Sequence, residues 1–518
     1  MEKVKSFLLL CILSFCLFLS CQAPKTNEEV TADKPNIVFI YLDDLGYGDV
    51  SAYQSGTIQT PNMDRLVNGG IKFTNGYASS ATCTPSRYAL LTGTYPWRNQ
   101  NAKILPGTAP LIIDTAQMTI PKMLRSQGYE TAVIGKWHLG LGTGVVDWNQ
   151  EISPNPNHVG FDHSHILAAT QDRVPTVYIE NGRVVNLDPN DPILVDYDKN
   201  FDGEPSAITN PDLLTMKWHH GHNNSIVNGI PRIGFMKGGQ SAKWSDVDMA
   251  DHFLEKGKAY IKEKSQSAEP FFLFFPMQQP HVPRTPHPRF EGKSGMGPRG
   301  DVILEADWVI GELYKTLEEE GLLENTLIVF SSDNGPVLND GYYDDAVEKL
   351  GNHTPAGPFK GGKYSLFEAG TRVPFVTYWK GKIQPGVSDA LVTQIDLLAS
   401  LAALVGSSAS GPDSENLLEA FLGKSQQGRE SFVLEATTRT ALRSGDWAMI
   451  PPYPGPAVQN QVNIELGNST DYQLFNLKDD PSQQTNLATS NPEKLEEMKK
   501  KYLEIRGDNS KIEQVELK

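Results

Sequence analysis

The chain has 518 residues, 39% of them hydrophobic and 21% charged, with a formal net charge of -16. That length is more than one hydrophobic core holds and predicts a large domain with a smaller one. The acidic balance argues against nucleic acid as a partner, and any site for an anionic substrate would need its own concentrated positive charge.

Lys3 and Lys5 precede an apolar run from Phe7 to Leu19 that ends at Ser20-Cys21. The run reads as an export signal, because a membrane span needs about 20 apolar residues. A cysteine after a small residue at the end of such a run resembles the lipobox of bacterial lipoproteins. The expectation is a signal over 1–21, a lipid on Cys21 as the only membrane attachment, a polar tether over 22–34, and residence in the bacterial cell envelope, periplasmic or surface-exposed. Of the four cysteines, three lie in that leader, at 11, 16 and 21. Cys83 is left without an internal disulfide partner.

Several apolar runs then stop at residues that carry chemistry. "NIVFIYLDD" ends at Asp43 and Asp44, "ETAVIGKWHLG" at Lys136 and His138, "PFFLFFPMQQPH" at His281, and "TLIVFSSDNG" at Asp333 and Asn334. Helical patterns lie between them, among them "MADHFLEKGKAYIKEK" and "VILEADWVIGELYKTLEEEG", the latter with Val302, Ala306, Val309, Leu313 and Leu317 on one face. Alternation of buried strands and amphipathic helices predicts an α/β domain over 35–426, with a mostly parallel central sheet flanked by helices. The stretch from about 140 to 245 lacks periodicity and reads as loops over the sheet edge. Beyond 427, "SFVLEA", "TALRSGDWAMI" and "DYQLFNL" predict a small antiparallel sheet, closed by the helix "PEKLEEMKKKYLEIRG" in an α+β subdomain spanning 427–518.

Ligands of such a sheet bind beyond the carboxyl ends of its strands, so the four runs would meet at one crevice. Asp43, Asp44, Asp333 and Asn334 offer hard oxygen donors, which suit Ca²⁺ or Mg²⁺ better than zinc. Lys136 and His138 would face one side if the chain stays extended there. In "FKGGK", Lys360 and Lys363 flank two glycines that admit close backbone approach. Cations beside a divalent metal are what an oxyanion ester requires.

The motif "CTPSR" at Cys83, with "GKWHLG", "SSDNG", "GGKYSLFEAGTRVP", "LRSGDWAMI" and "LFNLKDDPSQQTNLA" in the same order, resembles the formylglycine-dependent sulfatases of the alkaline phosphatase superfamily. Within that family it is most similar to the arylsulfatase A and N-acetylgalactosamine-6-sulfatase branch. The resemblance implies an alkaline phosphatase-like fold and a maturation enzyme that oxidises Cys83 to formylglycine. It also implies one Ca²⁺ held by Asp43, Asp44, residue 83, Asp333 and Asn334. Further implied are a gem-diol at 83 that attacks sulfur, Arg87 to hold it, Lys136 and Lys363 to grip sulfate, His138 to assist elimination, and His281 as general acid. His281 is preferred over His287, and Lys363 over Lys360.

The substrate so implied is a sulfated carbohydrate of galactose or N-acetylgalactosamine type, attacked from its end. Asp172 and Arg173 are candidates to bind it, or else form a surface ion pair worth little. His219, His220 and His222 lack a carboxylate at ligand spacing and read as substrate-loop or surface residues. Two other classes remain: a two-metal phosphatase or phosphodiesterase of the same superfamily, and a non-catalytic glycan-binding lipoprotein.

Overall fold

The computed structural model describes residues 34–54, 56 and 58–507. The expected signal and all of the tether but Lys34 lie outside the described residues, and the described residues from Pro35 onward form one compact unit. Its centre is a ten-stranded sheet. In chain order the strands are β1 (Asn36–Leu42), β2 (Ile71–Phe73), β3 (Glu130–Lys136), β4 (His163–Leu167), β5 (Tyr178–Glu180), β6 (Arg183–Val184), β7 (Phe271–Pro276), β8 (Thr326–Ser332), β9 (Phe375–Tyr378) and β10 (Gly386–Ser388). Across the sheet they run β10-β2-β9-β8-β1-β7-β3-β4-β5-β6. The middle of that order, β8-β1-β7-β3-β4, is parallel, while β9 runs antiparallel to β8 and β5 antiparallel to β4.

Burial on both faces explains the unbroken apolar runs. Along β1, Ile37, Phe39 and Tyr41 pack on one side of the sheet with Leu90, Leu91, Met123, Leu124, Leu397 and Leu401. These leucines and Met123 belong to helices α2 (Cys83–Thr92), α3 (Ile120–Ser126) and α6 (Leu397–Leu404). Val38, Ile40 and Leu42 point the other way, toward Met63, Leu66, Phe253, Ile261, Ile303 and Leu313. Those residues come from α1 (Pro61–Gly69), α4 (Met249–Lys264) and α5 (Gly297–Glu319). Val302, Ala306, Val309, Leu313 and Leu317 are all buried, as their helical spacing predicts.

The expectation for 140–245 needs correction. β4, β5 and β6 fall within it and extend the central sheet, β4 as a parallel neighbour of β3 with Ala132 opposite His163. "HSHIL" has no strand signature of its own; pairing with β3 supplies it. The rest of the stretch holds short strand pairs and loops.

The smaller antiparallel sheet consists of β11 (Ser431–Ala436), β12 (Arg439–Ser444), β13 (Trp447–Ile450) and β14 (Gln473–Asn476), and α7 (Pro492–Arg506) packs on it through Met498 and Tyr502. β11 also pairs with the loop before α2, where Ala81 N donates to Glu435 O and Glu435 N to Ser79 O.

Gly335 packs directly behind the turn after β8, where an added Cβ would stand 1.6 Å from the Ala369 carbonyl oxygen. Gly335→Ala should therefore displace the Asp333–Asn334 turn, lower stability by about 1–3 kcal/mol and lower activity with it. Gly321→Ala, at φ +70 in open space, should cost about 1–2 kcal/mol of backbone strain and leave turnover alone. Thermal unfolding and turnover of both variants check the contrast.

Candidate active site

The parallel register brings the acidic strand ends together. Leu42 lies opposite Ser332, so Asp43–Asp44 and Asp333–Asn334 leave adjacent strands side by side. All four residues are buried. Asp44 takes a left-handed φ of 63°, and Asn334 Nδ2 donates to Asp44 Oδ1 at 2.7 Å.

Cys83 is the first residue of α2, where the helix N-terminus favours negative charge. Arg87 follows one turn later on the same face. Its Nη2 donates to Asp43 Oδ2 at 2.7 Å and to Asp333 Oδ2 at 2.8 Å, its Nε to Asp333 Oδ2 at 3.0 Å, and its Nη1 to the Lys136 carbonyl at 3.0 Å. Cys83 Sγ lies 3.9 Å from Asp43 Oδ1. Lys136, at the end of β3, forms an ion pair with Asp43. Lys363 Nζ reaches Asp44 Oδ2 at 2.9 Å and Asp340 Oδ2 at 2.8 Å. His281 Nε2 lies 3.9 Å from Asp44 Oδ2.

His138 reaches the site by a different route from the expected extended chain. Gly135, within β3, and His138, just past it, have φ of 137° and 55°, so the chain between them is not uniformly extended. His138 Nε2 lies 3.0 Å from the Leu105 carbonyl, which can only accept, so Nε2 carries the proton. Its Nδ1 is buried without a hydrogen-bond partner among the described residues.

Charge compensation is tight. Burial would raise the Asp43 carboxyl, but Lys136, His281, Arg87 and Lys363 hold it well below the usual carboxylate range. Burial, and then the charge of Asp43, push Asp333 upward. Burial also pushes the Cys83 thiol up to about 12, so the unmodified side chain is a neutral thiol and a poor nucleophile. Burial followed by the Lys136 charge depresses His138, and burial followed by Lys363 depresses His281. Lys363 stays charged: burial opposes its proton, but Asp340 and Asp44 raise it well above the ordinary lysine value.

The donor set fits a hard divalent cation. Oxygens of Asp43, Asp44 and Asp333 lie within 4.8 Å of one another, and Asn334 Oδ1 is buried with no hydrogen-bond partner among the described residues. Three carboxylates and an amide oxygen are calcium or magnesium chemistry. Asp44, His281 and Asp340 form a second convergent group, but the Lys363 ammonium bridges Asp44 and Asp340. A fixed cation thus already answers two of the three groups that could hold an ion there.

These residues open onto a cavity of about 360 Å³ whose lining includes Cys83, His138, Asp172, Arg173, His222, His281, Asp340 and Lys363. Asp172 and Arg173 are therefore not a surface pair. Arg173 Nη1 donates to both Asp172 oxygens at 3.0 Å, and His222 Nε2 lies 2.8 Å from Asp172 Oδ2. The carboxylate that sequence spacing did not offer His222 comes from 50 positions away. His220 also lines the cavity, whereas His219 does not. Lys360 pairs with Glu465 at 2.9 Å and His287 lies 3.9 Å from Asp248, both away from the cavity lining. Asp340 was not anticipated. It stands in "PVLNDGYY", where nothing local marks it, and only its pairing with Lys363 and Tyr364 exposes its place.

The sequence profile described as Sulfatase matches residues 35–407. The chain belongs to the sulfatase family. It is 50% identical over 483 residues to the N-acetylgalactosamine-6-O-sulfatase of Bacteroides thetaiotaomicron, covering 91% of this chain and 94% of that protein. It is 30% identical over 404 residues to human arylsulfatase A, covering 77% and 70%. Among solved structures, one described under the metabolism of multiple glycosaminoglycans by Bacteroides thetaiotaomicron superposes with a TM-score of 0.90 at 49% identity, covering 91% of this chain and 99% of that chain. This sulfatase is a sulfuric ester hydrolase with the alkaline phosphatase-like fold.

Arg87 is the counter-charge to two buried carboxylates. Arg87→Met should lower stability by about 3–5 kcal/mol, because it strands Asp43 and Asp333 without their partner. Arg87→Lys should recover part of that loss but not the two-pronged geometry. Denaturant midpoints of the wild type and both variants measure it; equal midpoints would show that the pair does not hold the site together.

Proposed function

We propose that this sulfatase removes a sulfate ester from a galactose-type or N-acetylgalactosamine-type sugar, at O6, acting at the end of a sulfated glycan. The observation that carries the reading is that Cys83, His138, His281 and Lys363 line one cavity directly against the oxygen cluster of Asp43, Asp44 and Asp333, with Lys136 paired to Asp43 behind them. The choice of sugar and position rests on the 50% identity to an enzyme named for that substrate. In this reading a maturation enzyme converts Cys83 to formylglycine, and the protein is exported with a lipid on Cys21.

Asp43, Asp44, Asp333, Asn334 and residue 83 would hold Ca²⁺, which supplies positive charge to the sulfate oxygens. Formylglycine, once formed and hydrated, supplies the oxygen nucleophile and a way to release sulfate that a serine hydroxyl lacks. The remaining work falls to the side chains. Arg87 orients residue 83 from the next helical turn. Lys136 and Lys363 offer ammonium groups to the sulfate oxygens, charge that is effective because the site is buried. The Val282 carbonyl, 2.7 Å from His281 Nδ1, fixes a proton there and leaves Nε2 to face the substrate. A sulfate ester beside that imidazole favours its protonated form, and protonated Nε2 then donates to the departing sugar oxygen. His138, with Nε2–H held by Leu105, keeps its Nδ1 lone pair free to accept a proton when sulfate is released.

The test is expression with a maturation enzyme and assay against defined sulfated sugars. Mass spectrometry of the peptide around residue 83 should show the thiol replaced by an aldehyde. Cys83→Ser should fold yet not turn over, and His281→Ala should lose roughly 10²–10⁴-fold in rate on a sugar sulfate. An intact thiol in active enzyme, or a cycling serine variant, would refute the nucleophile. Chelation of calcium should lower activity and Tm together, since a ligand of the native state stabilises it; indifference to chelation would remove the metal assignment.

A further inference from the structure

Part of the cavity wall comes from the small C-terminal sheet: Glu435, Thr437 and Thr438 line it, together with Gln459 and Gln461. β11 and β12 are joined by a two-residue turn, because Ala436 pairs with Arg439. The two turn residues have φ of 49° at Thr437 and 75° at Thr438. Two consecutive left-handed residues are the demand of a type I′ hairpin, which Asn-Gly or Gly-Gly meets without strain. A β-branched side chain in that region is a steric outlier. Such conformations persist where the surroundings over-determine them, and they cluster at functional sites. The surroundings here are specific: Arg439 Nη2 donates to Thr437 Oγ1 at 3.1 Å and to the Tyr364 carbonyl at 2.8 Å, tying the turn to the residue after Lys363.

A second, independent observation lies beside the turn. Glu435 is buried, and its Oε2 has no hydrogen-bond partner among the described residues, although Oε1 accepts from Thr438 N at 3.3 Å. A buried polar atom without a partner is costly and calls for an occupant. Burial pushes this carboxyl up to about 8, so at neutral pH it is mostly protonated. Hydroxyls, amides and a protonated carboxyl carry no positive charge for a sulfate. They match the hydroxyl and amide groups of a sugar.

We infer that the Thr437–Thr438 turn, with Glu435, is a subsite for the uncharged sugar portion of the substrate, contributed by the C-terminal sheet to a sulfate-binding floor built by the central one. The inference rests on the glycan reading above. It explains why a strained Thr-Thr pair stands where Asn-Gly would relax the hairpin: relaxation would delete both hydroxyls from the cavity wall.

The test uses matured full-length enzyme and two substrates, 6-O-sulfated N-acetylgalactosamine and a small aryl sulfate that offers no sugar hydroxyls. The double variant Thr437→Asn/Thr438→Gly should raise Tm by removing strain. It should also lower the ratio of kcat/KM on the sugar to kcat/KM on the aryl sulfate by roughly tenfold, the scale of two lost hydrogen bonds. Thr437→Ser/Thr438→Ser keeps both hydroxyls and should hold the ratio near the wild-type value. A raised Tm with an unchanged ratio would overturn the inference, leaving a turn that is strained and nothing more. So would an equal fall in the ratio for the serine pair. If the wild type cleaves the aryl sulfate but no sulfated sugar, the glycan reading fails in the wild-type assay itself and takes this inference with it; failure of the subsite alone appears only in the variants.

Discussion

Three buried carboxylates at the ends of two neighbouring parallel strands set the terms for everything around them. Asp43 and Asp44 follow β1, Asp333 follows β8, and the register that places Leu42 opposite Ser332 leaves them no means of separating. Like charges at that range in a desolvated site are strongly unfavourable unless cations and hydrogen-bond donors answer them. Arg87, Lys136 and Lys363 are that answer within the chain, and each carries a part of the fold with it. Arg87 anchors α2 by its first turn and so determines where Cys83 stands. Lys136 ties the end of β3 to β1, and Lys363 brings in the long connection between β8 and β9 along with Asp340.

The same compensation governs a second convergent group in the site. The Asp44, His281 and Asp340 atoms converge well enough to hold an ion, yet an ammonium group already bridges two of them. A lysine differs from a metal in that it can donate hydrogen bonds to a sulfate oxygen while its charge stays fixed to the backbone. The floor of the cavity is thus charged and rigid. Its walls, drawn in part from the loops after β4 and from the C-terminal sheet, carry the Asp172–Arg173–His222 cluster and the side chains of Glu435, Thr437, Thr438, Gln459 and Gln461.

The elements that sequence patterning foresaw best are those buried on both sides. β1, β3, β7 and β8 are unbroken apolar runs because helices cover both faces, and each stops where a polar residue is needed at the strand end. The acidic pairs at the strand ends, Cys83, Arg87, Lys136 and Lys363 were legible because each belongs to a short motif whose spacing is local. β4 was not, since "HSHIL" becomes a strand only by pairing with β3. Nor were Asp340 and the partnership of Asp172 with His222, because the groups they meet come from distant segments.

Sequence alone determined the chemistry available to this protein: one cysteine in a helix-starting motif, acidic pairs at strand ends, and lysines and histidines at the ends of neighbouring apolar runs. Those are properties of nearest neighbours in the chain, where residue type and periodicity act directly. Tertiary structure alone decided the shape of the site. It took the backbone out of uniform extension between Gly135 and His138, seated Lys363 between Asp44 and Asp340, and set a strained Thr-Thr turn of the small sheet in the cavity wall. Each of those outcomes depends on contacts between segments far apart in the chain, and on burial, which makes an unmatched charge or hydrogen bond too costly to leave alone.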